Sequence, residues 1–294
     1  MSFKNTLLPV QTMLQSRGRL LDLSKPVVMG ILNATPDSFY NKGRDSSADG
    51  LLHNAEKMLE EGAALLDIGG ATTKPGSGII SPDEELKRVI PAIEAIMKRF
   101  PDAWLSIDTY NSKVASEAVA AGVSIVNDVS SGSIDSSMIA TVAELGVPYI
   151  AMHMQGTPET MQKDPQYEDV VTEVRDYLRD VSDKCYTAGI KDIIIDPGFG
   201  FGKNLEHNFA MLRNLHTFRM LGKPVLAGIS RKSMICRTLN VTPEHALNGT
   251  TALNMVALQQ GANILRVHDV KEAVEVVKLW TWIEGSKENQ VLSI

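Results

Sequence analysis

Cysteine is nearly absent from this chain of 294 residues: Cys185 and Cys236 are the two, and neither belongs to a CxxC pair. That removes a thiolate metal centre and a disulfide framework from consideration and fits a reducing cytoplasm. An excess of positive charge is also missing. Lys and Arg number 29 against 35 Asp and Glu, a net charge of −6. Nucleic acid and anionic membrane surfaces call for the opposite sign, so neither is expected as a partner, although a local cationic pocket for a small anion stays open. No apolar run is long enough to span a membrane. The start, Met1–Val10, lacks the charged segment and apolar stretch of a signal peptide. There is no domain linker, low-complexity tract or charge run. Hydrophobic residues make up 44% and charged residues 22%, which excludes disorder as the main state.

What is present is an alternation. Short apolar runs sit at Val27–Leu32, Ala64–Ile68, Trp104–Ile107, Ser124–Asn127, Pro148–Met152, Ile193–Asp196, Val225–Ile229 and Ile264–Val267. Most are continuously apolar, as strands buried on both faces are. Helical patterns lie between them. Ser81 and Pro82 open one, which carries Leu86, Val89, Ile90, Ile93 and Met97 at helical spacing and has Pro91 inside it as a candidate kink. Gly62, Gly122 and Gly189 stand where three others end, and Asp269 is placed to cap the last. Eight such units predict a single α/β domain over residues 1–294, a (β/α)8 TIM barrel with its core at about 27–283. An open doubly wound sheet is the rival. Gly18 predicts a small hairpin before the first strand, covering one barrel end.

A barrel of this kind keeps its active site at the C-terminal ends of its strands, and here those ends are unusually polar. Any one Asp, Asn or Ser there is explained as a helix cap. Polar ends on all eight strands are not, because groups converging on an apolar mouth cost a few kcal/mol each when unpaired. Asp108, Asn127 and Asp196 suit the N–H edge of a nitrogen-rich ring. Arg231, Lys232, Arg266 and His268 follow strands 7 and 8, where barrels frequently hold phosphate. Asn33 and Asp37 are hard oxygen donors for a divalent ion, and a turn acid explains Asp37 equally well. The run Asp196–Lys203 (DPGFGFGK) fits neither the P-loop nor the dinucleotide fingerprint. It reads as a tight loop bringing backbone and the Phe201 ring to a ligand. His153 has no second His at metal spacing, so a structural role is expected. Met152 and Met154 suit a flat ring, and core packing explains them as readily.

The motifs Met29–Phe39 (MGILNATPDSF), Asp67–Gly70 (DIGG), Ser106–Thr109 (SIDT), Asn127–Val129 (NDV), Met152–Pro158 (MHMQGTP), Asp196–Lys203, Ser230–Ser233 (SRKS) and Arg266–Asp269 (RVHD), in this order, resemble dihydropteroate synthase from about Val27 to Val277. The resemblance implies a TIM barrel of folate biosynthesis. It would join 6-hydroxymethyl-7,8-dihydropterin diphosphate to 4-aminobenzoate, giving 7,8-dihydropteroate and diphosphate by an SN1-like substitution without a covalent enzyme intermediate. It implies Asp108, Asn127, Asp196 and Lys232 as the pterin set, with Met152 beside it. Arg266 would cover the pterin face, and Arg266, Val267 and His268 would meet diphosphate. Asn33 would contact Mg²⁺, and Thr73 is the loop-2 threonine. Phe39, Pro75, Phe201 and Ser230 would form the aminobenzoate site, with Lys74 as its charge. The resemblance also implies a sulfonamide target and a cytoplasmic homodimer with the late helices as interface. Loop 2 departs from the family: GGESTRPG is common there, and Gly69–Gly76 reads GGATTKPG, so Ala71 removes an acid and Lys74 replaces an arginine. Two rivals share the pterin pocket, a methyltetrahydrofolate-type methyltransferase barrel and a non-catalytic pterin-binding module. The first does not need the Ser230–Ser233 and Arg266–His268 anion cluster or the Asn33–Phe39 loop, and the second predicts pterin binding without turnover.

Overall fold

The computed structural model describes residues 10–34, 47–70, 80–157, 161 and 164–291. The first element is the expected hairpin, β1 (Met13–Ser16) antiparallel to β2 (Arg19–Asp22). Arg17 and Gly18 turn it with φ of 52° and 75°. Two successive left-handed residues give the tight turn whose twist matches its strands, and Gly18 takes that conformation without strain.

The repeating part follows as β3 (Val27–Asn33), α1 (Ser47–Glu60), β4 (Leu65–Gly69), α2 (Pro82–Arg99), β5 (Trp104–Asp108), α3 (Ser112–Ala121), β6 (Ile125–Asp128), α4 (Met138–Leu145), β7 (Tyr149–Met152), α5 (Val170–Ala188), β8 (Ile193–Asp196), α6 (Leu205–Arg213), β9 (Leu226–Ala227), α7 (Ser233–Leu239), α8 (Leu247–Gln259), β10 (Ile264–Val267) and α9 (Val270–Val291). The capping signals act as read. Ser81 Oγ accepts from the Glu84 N–H at 3.2 Å, and α2 runs unbroken through Pro91. Gly122 and Gly189 end α3 and α5 with positive φ.

All eight expected strands form one parallel sheet in the order β8-β7-β6-β5-β4-β3-β10-β9. Its ends meet, because Ile195 bridges Val225 in parallel and the Ile195 N–H donates to Pro224 O at 2.9 Å. The sheet is therefore a (β/α)8 barrel and not an open doubly wound sheet. The seventh barrel strand, β9, is shorter than the apolar run Val225–Ile229 because the chain folds back at once, with the Lys232 N–H donating to Ile229 O at 3.1 Å.

Two cores divide the strand side chains by parity. Met29, Leu65, Trp104, Ile125, Ile150, Ile194, Leu226 and Ile264, one from each barrel strand, meet inside the barrel with Leu14, Leu21 and Leu23 of the hairpin segment. The hairpin thus plugs the N-terminal end. Ser16 Oγ fastens it to Ser124 O at 2.7 Å, and Arg19 donates to Asp102 O at 2.9 Å. The intervening strand residues, among them Leu66, Leu105, Val126, Ala151, Ile195 and Val267, pack outward against the helices. Among the described residues, no helix is long and apolar enough to cross a membrane.

Candidate active site at the barrel mouth

Strand side chains alternate, so the inner face returns every second residue. Two positions beyond the inner apolar ring stand Ile31, Asp67, Ser106, Asn127, Met152, Asp196, Gly228 and Arg266. Two further lie Asn33, Asp108, Ser230 and His268. The parity that fills the barrel floor with hydrocarbon therefore turns the polar strand ends toward one another at its mouth.

The centre is a charge network. Arg266 donates from Nε to Asp67 Oδ2 and from Nη2 to Asp108 Oδ2, both at 2.6 Å. Asn127 Nδ2 donates to the same Asp67 Oδ2 at 3.0 Å. Burial pushes the Asp108 carboxyl above its ordinary range, and the Arg266 guanidinium works against that. Burial also opposes charge on Arg266, but Asp67 and Asp108 overcome it and hold the guanidinium protonated. An arginine with two carboxylates in reach outweighs its own desolvation.

Asp196 and Lys232 form the next group. Asp196 Oδ1 accepts the Gly198 N–H at 2.8 Å. A methyl on Gly228 would lie 3.8 Å from Lys232 Nζ and 3.9 Å from Asp196 Oδ2, so ammonium and carboxylate oxygen line the same space above that glycine. Burial raises the Asp196 pKa, with Lys232 opposing. Burial lowers Lys232 to about 8, with Asp196 opposing. Lys232 Nζ also donates to Phe199 O and sits 4.7 Å from the centre of the Phe201 ring, a cation over an aromatic face.

The glycine-rich loop is as tight as expected. Gly198 has φ +71°, and a Cβ there would fall 1.9 Å from His153 O, which only glycine permits. Lys203 ties the loop together from beneath, donating to Gly198 O and Phe201 O at 3.0 Å each and lying 2.9 Å from His153 Nδ1. Burial and the Lys203 charge lower His153 to about 3. It is a neutral acceptor beneath the loop, a structural role.

His268 has a partner that holds its ring. Ser230 Oγ accepts the His268 backbone N–H at 3.2 Å and lies 3.0 Å from its Nδ1. The two contacts hold the Nδ1 edge of the ring against Ser230. Burial and the nearby Arg266 and Arg231 lower His268 to about 4, so it is neutral near pH 7.

The structure thus brings together Asp108, Asn127, Asp196, Lys232, Arg266, His268 and Ser230, with Met152 on the inner face and Phe201 over Lys232. Asn33 ends β3 beside them. Two expectations need correction. Arg231 does not stand free in the anion cluster, because it grips Asp269 through Nε at 2.9 Å and Nη2 at 2.6 Å. The same pair occupies the Asp269 carboxylate, and its backbone oxygen is what receives the Ala273 N–H of α9, at 3.2 Å. The Val267 side chain packs with the outward core, so only its backbone is available at the mouth. Asp37, Phe39, Thr73, Lys74 and Pro75 lie outside the described residues. Asp67 was not singled out from the sequence beyond its place in a motif. Strand parity would have found it, two positions after Leu65 and on the face of Asn127 and Arg266.

The chain matches the family model described as pterin binding enzyme over residues 29–268. It is 46% identical to the dihydropteroate synthase of Escherichia coli (strain K12), a match covering 94% of this chain and 98% of that one. Among solved structures, the Yersinia pestis dihydropteroate synthase with a sulfonamide drug complex superposes with a TM-score of 0.88 at 44% identity, over 93% of this chain and 99% of that one. The Xanthomonas albilineans dihydropteroate synthase with 4-aminobenzoic acid gives a TM-score of 0.87 at 40% identity, over 94% and 99%. A barrel mouth with this charge pattern and relatives matched end to end agree on one assignment: the chain belongs to the pterin-binding enzymes and, within them, to the dihydropteroate synthases.

Proposed function

We propose that Asp108, Asn127 and Asp196 hold the pterin ring of 6-hydroxymethyl-7,8-dihydropterin diphosphate, while Lys232, Arg266 and His268 receive its diphosphate. The activity is that of a dihydropteroate synthase, a transferase that condenses this substrate with 4-aminobenzoate to give 7,8-dihydropteroate and diphosphate. The observation that carries the residue roles is the space above Gly228, where a methyl would have Lys232 Nζ at 3.8 Å and Asp196 Oδ2 at 3.9 Å. An acceptor for a ring N–H and a cation for the leaving group are thereby preorganised at one point.

The chemistry is electrophilic. Carboxylates paired with the pterin N–H groups favour positive charge developing at its exocyclic methylene. The methylene C–O bond breaks, and diphosphate leaves toward Lys232, the guanidinium of Arg266 and the imidazole of His268. Charge already in place where charge develops is commonly the largest contribution to catalysis. The amine of 4-aminobenzoate then forms the new C–N bond and loses its proton to solvent or diphosphate. The chain need supply no nucleophile.

The donor set fits Mg²⁺ at the rim. Asn33 offers a single hard oxygen, and this ion usually keeps several waters and takes its other ligands from substrate phosphate. Bound there, Mg²⁺ supplies charge neutralisation for diphosphate. Phe201 serves the aminobenzoate site, to which the family resemblance also assigns Phe39, Pro75, Thr73 and Lys74. Ser230 serves it chiefly by orienting His268. The whole chain works as one domain. The working unit is a homodimer through the late helices, supported by Leu279 and Trp282 of α9, which are 60% and 79% exposed. Light scattering on the purified protein tests that state. The free thiols of Cys185 and Cys236 support a cytoplasmic setting.

The test is a single assay of pterin diphosphate, 4-aminobenzoate and Mg²⁺, following diphosphate release and dihydropteroate. Turnover that depends on all three is expected. Pterin binding without turnover would refute the reading, and so would turnover indifferent to Asp108→Asn and Lys232→Ala.

A further inference from the structure

Arg266 and Asn127 come from opposite sides of the barrel circle, yet both end on one atom. Asp67 Oδ2 accepts from Arg266 Nε at 2.6 Å and from Asn127 Nδ2 at 3.0 Å. Asp67 is wholly buried. Its neighbours in register are Ile31 on β3 and Ser106 on β5, and neither carries a charge that could compensate it. Both groups that meet Asp67 Oδ2 do so as N–H donors, so this oxygen is an acceptor for each. The amide of Asn127 must therefore point its NH₂ at Asp67, which leaves Oδ1 as the acceptor on the far side of the group. The Arg266 guanidinium is planar and rigid. With Nε on Asp67 and Nη2 on Asp108 at 2.6 Å, and Cδ tethered by its own side chain, the plane is fixed, and its remaining N–H groups are left for a ligand.

We infer that Asp67 is a positioning residue for the pterin site: through one carboxylate oxygen it sets both the end of the Asn127 amide offered to the pterin and the plane of the Arg266 guanidinium. The inference rests on the proposed pterin roles of Asn127 and Arg266. Asp67 acts through those two groups and touches no substrate. The polarity of the recognition follows. An amide locked with its oxygen outward selects a ring edge that presents an N–H and rejects one that presents a bare acceptor. A guanidinium held by two carboxylates cannot swing away when the diphosphate leaves.

The test uses two substitutions in the full-length enzyme that keep the branching of the aspartate side chain. Asp67→Leu fills the space and accepts nothing. Asp67→Asn keeps an oxygen that can receive both donors but removes the charge. Positioning predicts that Asp67→Leu lowers kcat/KM for pterin diphosphate by about 30-fold or more and leaves the KM for 4-aminobenzoate within about threefold. Asp67→Asn recovers most of that loss. A packing role predicts equal behaviour of the two. A double-mutant cycle sharpens the distinction. If Asp67 acts through Arg266, then Asp67→Leu with Arg266→Ala is no worse than Arg266→Ala by more than about threefold, whereas independent roles multiply. Protection of the Arg266 Nε–H from hydrogen exchange in the unsubstituted enzyme gives a readout that needs no variant to fold. Exchange as fast as that of an exposed arginine such as Arg179 would overturn the inference, as would multiplying losses in the cycle. If Arg266→Ala itself leaves pterin kinetics unchanged, the assigned pterin role fails. If Arg266→Ala is damaging and Asp67→Leu is not, only the positioning role of Asp67 fails.

Discussion

Replacing Asp196 by Asn changes one oxygen to NH₂ at almost constant volume. Asp196 is 6% exposed, and its Oδ1 is already committed to the Gly198 N–H at 2.8 Å. The asparagine keeps its carbonyl oxygen on that N–H, because turning the amide over would set donor against donor. Its NH₂ then takes the place of Oδ2, the atom that shares the space above Gly228 with Lys232 Nζ. A ring N–H arriving there meets a donor instead of a carboxylate. Losing a buried, charge-assisted hydrogen bond costs about 2–4 kcal/mol, or roughly 30- to 1,000-fold in kcat/KM for pterin diphosphate. A second effect travels with it. Burial lowers Lys232 to about 8, and Asp196 is the main influence holding it up. Below that pH the ammonium is charged and can receive diphosphate, and above it the charge is lost. The parent enzyme should therefore show an alkaline fall in kcat/KM near pH 8, and Asp196→Asn should move that fall to lower pH. Initial rates of diphosphate release across pH, with a thermal melt to establish folding, read both effects. A folded variant with kcat/KM within about threefold of the parent and an unmoved alkaline limb would refute the assignment of Asp196 to the pterin.

Gly228→Ala adds a methyl that makes only ordinary contacts, 3.8 Å or more from its neighbours. The melting temperature should hold while the KM for pterin diphosphate rises about tenfold or more, and an unchanged KM would place the ligand elsewhere. His268→Ala should weaken pterin diphosphate more than bare hydroxymethylpterin in calorimetry. Ser230→Ala should do so to a smaller extent by freeing the imidazole ring, and equal losses for both ligands would make His268 structural. Glu85 on α2 is 2% exposed, with Oε1 unpartnered among the described residues. Burial raises it from 4.5 to about 7. Between those pH values the unfolded chain releases this proton first, so the Glu85 contribution to stability is lost as pH rises. Glu85→Gln should therefore be more stable than the parent by up to about 3 kcal/mol at pH 8 and equal to it near pH 4. A parent and variant with the same denaturant midpoint at pH 8 would contradict this.

Much of the fold was legible because it is written locally. Eight apolar runs between capped helical stripes leave few ways to bury both faces of each strand, and Ser81, Gly122 and Gly189 end or begin helices through groups within a turn of themselves. Barrel closure was not local, since it hangs on Ile195 meeting Val225 across the seam. The acid, amide and base types at the strand ends could be read one by one, and order along the chain placed them at one mouth. Their pairing could not be read. Which cation a carboxylate takes depends on distances across the barrel, so Arg231 turned out to belong to Asp269 and Arg266 to Asp67 and Asp108. Sequence alone determined the alternation of strand and helix, the N-terminal hairpin and the residue types at the strand ends, because propensity, parity and capping act over a few neighbours. Tertiary structure decided the closure of the barrel, the hydrogen-bond partners at its mouth and the lowered pKa of Lys232, because these depend on burial and on groups brought together from strands far apart in the chain.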